Sequence, residues 1–474
     1  MSSPEPILRL AVVGHTNTGK TSLLRTLTRD PDFGQVQDSP GTTRHVEGAR
    51  LLVEGHSIVE LFDTPGMEDS IALLDYLDQL APPGERLDGP ERIRRFLRSP
   101  ESRRRFEQEA RVLAKLLECD AALYVIDVRD PVLGKHRDEL AILANCGQPI
   151  LPVLNFTHSP EQRVQAWRDA LARSGLHAIV EFDTVAPALD GETQLYDRLS
   201  LLLDVHASTL QRLKADIALQ RDIRRQDAAR LIAELLVDVA AWHLSSEPDE
   251  ASMQASVQAL RQAVRGRENR CVQALLKRYN FNSRDFPAHT LPLQGERWGM
   301  DLFHPQALKD VGIHVGKGMA AGAMAGATVD MFTAGISLGA ATLLGAAAGG
   351  LWQGADKLGR RIWGRIQGYQ ELGVDDAVLR LLAIRQLALA RALERRGHAA
   401  QAPIELTSNA EGDPGTELIP ADILLAWRKQ PLPDELREAR SQPQWSSLAE
   451  EHMPSPRREQ VVRALARKLE AVWL

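Results

Sequence analysis

The chain has 474 residues, enough for two or three domains with sizeable cores. Its formal net charge of −6, with 25% of residues charged, gives no overall pull toward nucleic acid and matches an ordinary soluble composition. The three cysteines, Cys119, Cys146 and Cys271, suit neither a disulfide framework nor a zinc site, and MSSPEPILRL lacks the basic start and long apolar run of a signal peptide, which predicts a chain that begins in the cytosol.

Residues 1–205 alternate short apolar runs with helical patterns, as βαβ architecture does. A first strand is predicted over 7–13 (ILRLAVV), leading through GHTNTGKT into a helix near 20–29. Apolar runs at 49–54 and 57–62 lie too close for a parallel crossover, so they predict a hairpin. Buried strands are expected at 121–127, 149–154 and 178–182. A helical insertion fills about 68–118, in which 91–118 reads as helix, a break at Ser99-Pro100, and helix again. Its Arg103-Arg104-Arg105 run is either a solvated helix face or an arginine cluster facing phosphate or a partner. From about 206 the strand patterning stops. Helices are expected at 206–244, 251–279, 371–397 and 455–474, with 280–310 irregular and 400–416 a polar linker. The fold class expected is an α/β domain, mostly parallel with one antiparallel strand, over 1–205, then a mainly α-helical domain over 206–474.

Gly14-His15-Thr16-Asn17-Thr18-Gly19-Lys20-Thr21 satisfies GxxxxGK[ST], with a strand before it and a helix after it. The glycines let backbone N–H groups cradle phosphates, and the helix N-terminus adds partial positive charge. Lys20 is expected on the β- and γ-phosphates, and the Thr21 hydroxyl on Mg²⁺. Asp63-Thr64-Pro65-Gly66 follows an apolar strand at the spacing of a DxxG motif. Asp63 would then hold Mg²⁺ through water, and the Gly66 amide would sense the γ-phosphate. Between them lies Ser39-Pro40-Gly41-Thr42-Thr43-Arg44, where Thr43, in preference to Thr42, is assigned to Mg²⁺ and to closure over the nucleotide.

On GHTNTGKT, PGTTR and DTPG, residues 7–205 resemble the Era-like and tRNA-modification-type branch of translation-factor-related P-loop GTPases. Over its full length the chain resembles a bacterial family joining such a domain to an uncharacterised helical C-terminal domain. The resemblance implies GTP and GDP as ligands, Mg²⁺ as cofactor, and hydrolysis of GTP to GDP and phosphate. Lys20, Thr43 and Gly66 would form the catalytic set. Residues 14–21 with Ser22, Asn155 and Phe156 would contact the nucleotide. Met67 follows Gly66, where small switch GTPases carry a water-orienting Gln, and a thioether cannot orient water. Slow intrinsic hydrolysis is expected unless another group stabilises the charge. Asn17 matches a P-loop Asn that binds K⁺ in relatives of this branch, which suggests K⁺-stimulated, dimer-assisted hydrolysis; alternatively Asn17 merely fits the loop backbone.

The base-reading motif is altered. LPVLNFTH places Asn155 where Asn-Lys-x-Asp begins, but Phe156 replaces the Lys and His158 the Asp. A neutral histidine offers one acceptor where guanine's N1–H and N2–H₂ call for two, so relaxed purine specificity is expected. Phe156 could stack on the base instead, and Asp183, after the last strand, could reach it.

Residues 311–352 form an apolar stretch with only Lys317 and Asp330 charged. Gly318, Gly322 and Gly326, then Gly335 and Gly339, then Gly345 and Gly349 repeat at four-residue spacing, the small-xxx-small pattern of closely packed helices. Three readings stay open: a membrane-inserting hairpin with Asp330 at its tip, a glycine-zipper hairpin packed in a soluble domain, and an element that switches between the two. Lys357, Arg360, Arg361 and Arg365 fit a cytoplasmic flank. The leading functional expectation is a slow GTPase switch controlling its helical domain. The alternative is a membrane-associated scaffold whose hairpin inserts under nucleotide control. Expected partners are the nucleotide, a second copy of the chain and the inner membrane; the acidic balance argues against nucleic acid. His289, His304 and His314 read as structural rather than as metal ligands.

Overall fold

The computed structural model describes residues 6–30, 33, 47–80, 87–247, 249–281, 302–303, 336–338, 370–396, 421–429, 431–450 and 452–473. Thr43 with the rest of PGTTR, the 400–416 linker and nearly all of 311–352 lie outside these residues. The described chain divides into two compact units, the first up to Arg221 together with Arg395 and Arg396, the second the remainder from Asp222.

The first unit is built on a six-stranded sheet in the order β2-β3-β1-β4-β5-β6. Its strands are β1 (Leu8–Val13), β2 (Glu47–Val53), β3 (His56–Asp63), β4 (Ala121–Asp127), β5 (Ile150–Asn155) and β6 (Val180–Glu181). All pairings are parallel except β2 with β3. That hairpin turns on Glu54 and Gly55, both at positive φ (51° and 79°), as a two-residue loop matched to strand twist demands. The turn therefore sits one residue earlier than the Gly55-His56 boundary read from the apolar runs.

Alternation sorts each strand between two cores. Leu8, Leu10, Val12, Leu123, Val125, Leu151 and Val153 share one face with Leu23 and Leu24 of α1 (Lys20–Thr28). Ala11, Val13, Tyr124, Ile126 and Leu154 share the other with the buried residues of α2 (Ser70–Gln79), α3 (Gly89–Arg98), α5 (Glu107–Leu117), α6 (Gly134–Ala144) and α7 (Val164–Arg173). Because β4 and β5 are buried along their whole length, they read as unbroken apolar runs. The expected second helix of the insertion is split in two: α4 (Glu101–Arg104) precedes α5, and Phe106 caps the break with its ring buried. After β6 come α8 (Gly191–Leu202) and α9 (Ala207–Ala241), and the division between the units falls within α9.

The second unit adds α10 (Glu250–Arg278), α11 (Asp376–Arg395), α12 (Ala421–Lys429), α13 (Asp434–Arg440) and α14 (Pro456–Trp473). Its core joins Ile232, Leu236, Leu260, Val272, Leu382 and Leu389 with Trp427, Trp445 and Leu465. The sequence reading is corrected at two points. Strands do occur beyond residue 206: β7 (His243–Ser246), β8 (Ile336–Leu338) and β9 (Gln370–Val374) form an antiparallel sheet in the order β7-β9-β8. All of β9 after Gln370 was expected to begin a helix, and Ile336–Leu338 falls inside the stretch read as apolar helix. Among the described residues, no helix is long and apolar enough to cross a membrane.

Candidate functional site

The C-terminal ends of β1, β3 and β5 converge on one edge of the sheet, where open α/β folds place ligands. The loop from Gly14 to Gly19 can only be built with glycine at its ends. Gly14 has φ 142°, and a methyl there would stand 2.5 Å from the Val125 carbonyl oxygen. Gly19 has φ 90°, and its methyl would stand 2.3 Å from Asn155 Nδ2. Asn17 also adopts a left-handed φ of 64°, tolerable for Asn, and its side chain is exposed. No side chain caps the N-terminus of α1, so its first N–H groups point into the loop unclaimed by a capping residue.

Lys20 folds back over this loop. Its ammonium donates to Gly14 O at 3.1 Å and His15 O at 2.7 Å. Burial lowers its pKa from the ordinary 10.5 to about 8, against the opposing pull of the Asp63 and Glu139 carboxylates. Beside it, Thr21 Oγ1 donates to Asp63 Oδ2 at 2.5 Å. A hydroxyl and a carboxylate on adjacent elements are hard oxygen donors, the kind Mg²⁺ takes, so the residues present fit that ion. The loop carrying Asp63 is pinned below: Thr64 Oγ1 donates to Val12 O at 2.7 Å. Gly66 passes so close to Thr16 that a Cβ would sit 2.3 Å from its hydroxyl oxygen and 2.8 Å from its backbone nitrogen. Met67 is fully buried and bridges to His15, so its thioether faces the core.

One network here has no counterpart in the sequence reading. His15 Nδ1 lies 2.8 Å from Glu139 Oε1, its Nε2 lies 2.8 Å from Lys135 Nζ, and Tyr124 donates to Glu139 Oε2 at 2.7 Å. Glu139 is 0% exposed, so these partners are what make its burial tolerable. The network clamps the second residue of the P-loop to α6 and β4. No sequence signal announces it, because the partners lie 124 positions apart.

On the base side, Asn155 is 0% exposed and joins three loops. Its Nδ2 donates to Thr18 O (3.0 Å), and its Oδ1 accepts from Phe156 N (2.9 Å) and Thr184 N (3.0 Å). Replacing Asn155 by alanine would strand these buried groups, and a stability loss of at least ~2 kcal/mol is expected in chemical denaturation of the first unit. Phe156 holds a positive φ of 61°, with the Arg129 guanidinium 3.9 Å from its ring centroid. Arg129 is in turn gripped by Asp127, at 2.9 Å to Oδ1 and 2.6 Å to Oδ2. Asp183 does not extend toward a base. Its Oδ1 accepts from Val185 N and Ala186 N, and its Oδ2 from His158 N and the His158 ring.

The structure thus brings Gly14–Ser22, Asp63, Gly66, Asn155 and Phe156 to one edge of the sheet, while Thr43 lies outside the described residues. Comparison with known proteins assigns the two parts. The family described as "Domain of unknown function (DUF3482)" matches residues 168–467, most of the chain. The chain belongs to the DUF3482 family. In this DUF3482 protein the preceding residues 9–156 match the family described as "50S ribosome-binding GTPase", and they form a P-loop GTPase domain. The tRNA modification GTPase MnmE of Picosynechococcus sp. is 44% identical over 63 residues, 13% of each chain. GTPase Der of Xylella fastidiosa is 30% identical over 149 residues, 31% of this chain and 25% of that one. The DUF3482 chain therefore spans about an eighth to a quarter of these relatives. Among solved structures, Era in complex with MgGDPNP and nucleotides of 16S ribosomal RNA aligns at 15% identity and a TM-score of 0.30, covering 52% of this chain and 74% of that one. At that score it carries no argument, and the assignment rests on the sequence matches.

Proposed function

We propose that this chain binds GTP, hydrolyses it slowly to GDP and phosphate, and uses the nucleotide state to control its helical unit. One observation carries this reading: Thr21 and Asp63 meet at 2.5 Å beside Lys20 and the uncapped start of α1. A protein that only packed a core would have no use for a buried ammonium facing two buried carbonyls and an acid. In this reading Lys20 leaves the Gly14 and His15 carbonyls for the β- and γ-phosphates, and the N–H groups of the loop hold the phosphate oxygens. Thr21 and Asp63 would hold Mg²⁺, with Thr43 joining them, and the ion supplies charge neutralisation between the phosphates. Gly66, with no room for a side chain, brings its backbone to the γ-phosphate end.

Met67, turned into the core, leaves water positioning unassigned, so a further charge is needed for turnover. Asn17, exposed at the loop tip, is the K⁺ ligand of this reading, with a second copy of the chain closing the site. Hydrolysis in K⁺ is then expected to exceed that in Na⁺ by at least about tenfold at high protein concentration, and Asn17→Ala should erase the difference. Equal rates in the two salts would sink the cation site while leaving nucleotide binding intact. A second reading rests on the uncharged run 331–352 followed by Lys357, Arg360, Arg361 and Arg365: a cytoplasmic scaffold in which this run, docked here through β8, touches the inner membrane in the other nucleotide state. Sedimentation with membranes that is lost on deletion of 311–352 would support it, and a protein that never sediments would remove it.

A further inference from the structure

The loop Asn155–His158 lies against the P-loop: Asn155 Nδ2 donates to Thr18 O, and a methyl on Gly19 would stand 3.4 Å from Phe156 Cζ. For a nucleotide with its phosphates on Gly14–Thr21, this loop is the surface beside Gly19 that its base would meet. Asn155 is buried and its amide is taken up by Thr18, Phe156 and Thr184. Phe156 offers a ring and no hydrogen-bonding side chain. His158 is different, with 68% of its side chain exposed.

The His158 ring is not free to choose its tautomer. Asp183 Oδ2 lies 3.2 Å from Nδ1 and 3.1 Å from His158 N. Burial would raise the Asp183 pKa, but the N–H donors of His158, Val185 and Ala186 outweigh it and hold the carboxyl below its ordinary range. An ionised carboxylate only accepts, so the proton of the neutral imidazole resides on Nδ1 and Nε2 is left as a bare acceptor. One acceptor reads one proton. Guanine and hypoxanthine both carry N1–H, whereas adenine presents a lone pair there, and only guanine adds the 2-amino group.

We propose that His158 Nε2, its tautomer fixed by Asp183, selects 6-oxopurine nucleotides through N1–H and leaves the 2-amino group unread. The inference rests on the chain being a nucleotide-binding GTPase, and it replaces general purine tolerance with a defined pair of substrates. His158 touches the base; Asp183 is a positioning residue behind it.

The test is the affinity of the full-length protein for GDP, IDP and ADP at pH 8. GDP and IDP are expected within about threefold of each other, and ADP at least about tenfold weaker, a ~1.4 kcal/mol gap. His158→Asp restores a two-acceptor reader at an exposed position and should favour GDP over IDP by about tenfold. Asp183→Asn removes the tautomer lock and should weaken GDP and IDP by at least about fivefold relative to ADP, whereas a merely structural loss would weaken all three alike. A wild type that prefers GDP to IDP tenfold, or binds ADP as well as GDP, overturns the inference alone. So does an Asp183→Asn protein with unchanged ratios. Failure of every diphosphate to bind overturns the GTPase reading with it.

Discussion

Lys20→Ala is expected to abolish measurable nucleotide binding and to cut any residual hydrolysis by about 10²–10³-fold. The size follows from what Lys20 does unliganded. Lys20 is 7% exposed, and its ammonium is satisfied by two carbonyls of the loop it must leave when phosphate arrives. Burial is the main reason its pKa falls to about 8. The sign of the linkage is then fixed. Below pH 8 the folded protein bears the full cost of a buried charge, and between 8 and 10.5 it sheds the proton before the unfolded chain does. Stability of the unliganded protein should therefore rise with pH across that window. Nucleotide affinity should do the opposite, falling by up to about tenfold per pH unit above 8, because phosphate needs the ammonium. Lys20→Ala should remove the stability slope along with the binding. Calorimetric titration with GDP from pH 7 to 9.5 checks the second, and thermal unfolding of the unliganded protein checks the first. An alanine variant that still binds GDP like the wild type would remove Lys20 from the site.

The parts of this molecule that could be read in the sequence are those whose cause is local. β4 and β5 show as apolar runs because both faces of each are covered, and the β2–β3 hairpin shows because no crossover fits in its gap. Gly14–Thr21 and Asp63–Gly66 show because phosphate contact dictates glycine at fixed spacing. The second sheet does not show. Its strands have 4, 3 and 5 residues, too few for alternation to register, and β7 pairs with β9 across more than a hundred positions. A strand such as His243–Ser246 exists only because Gln370–Val374 lies beside it. The same holds at the site. Asp183 looked free to reach a base, but it sits under His158 and shapes that ring instead. Arg129 over Phe156, and Glu139 under His15, are juxtapositions made by the fold between residues whose local patterns are silent. His158 reads differently for this reason. From sequence it is a damaged carboxylate, whereas with Asp183 behind it the ring becomes a reader with one defined acceptor.

Asp238→Ala is expected to destabilise the second unit by ~3–5 kcal/mol. Asp238 lies on α9 with 2% of its side chain exposed. Its Oδ2 accepts from Arg267 Nε at 2.7 Å and Ser447 Oγ at 2.6 Å, and its Oδ1 from Arg458 Nη2 at 2.8 Å and Ser447 N at 3.1 Å. Its backbone carbonyl accepts from Ser446 Oγ as well. One carboxylate therefore ties α9 to α10, to the 443–447 turn and to the start of α14. Burial opposes its ionisation, but Arg267 and the Ser447 and Arg458 contacts prevail, so its folded pKa lies below the ordinary 3.8. The stability it contributes is present above pH 3.8 and is lost as pH falls through the folded value. Truncation is costly because it leaves Arg267 and Arg458, only 12% and 15% exposed, without their counter-charge. Removing all three charges at once, as Asp238→Leu with Arg267→Met and Arg458→Met, should recover much of the loss, since breaking a buried cluster costs more than replacing it. Hydrogen exchange along α9 and 443–458 resolves this within the unit, where a single melting temperature for a two-unit chain would blur it. Protection unchanged in Asp238→Ala would show that the cluster is incidental. Exchange that quickens in the single variant and slows again in the triple one would identify it as the clamp holding the C-terminal helix in place.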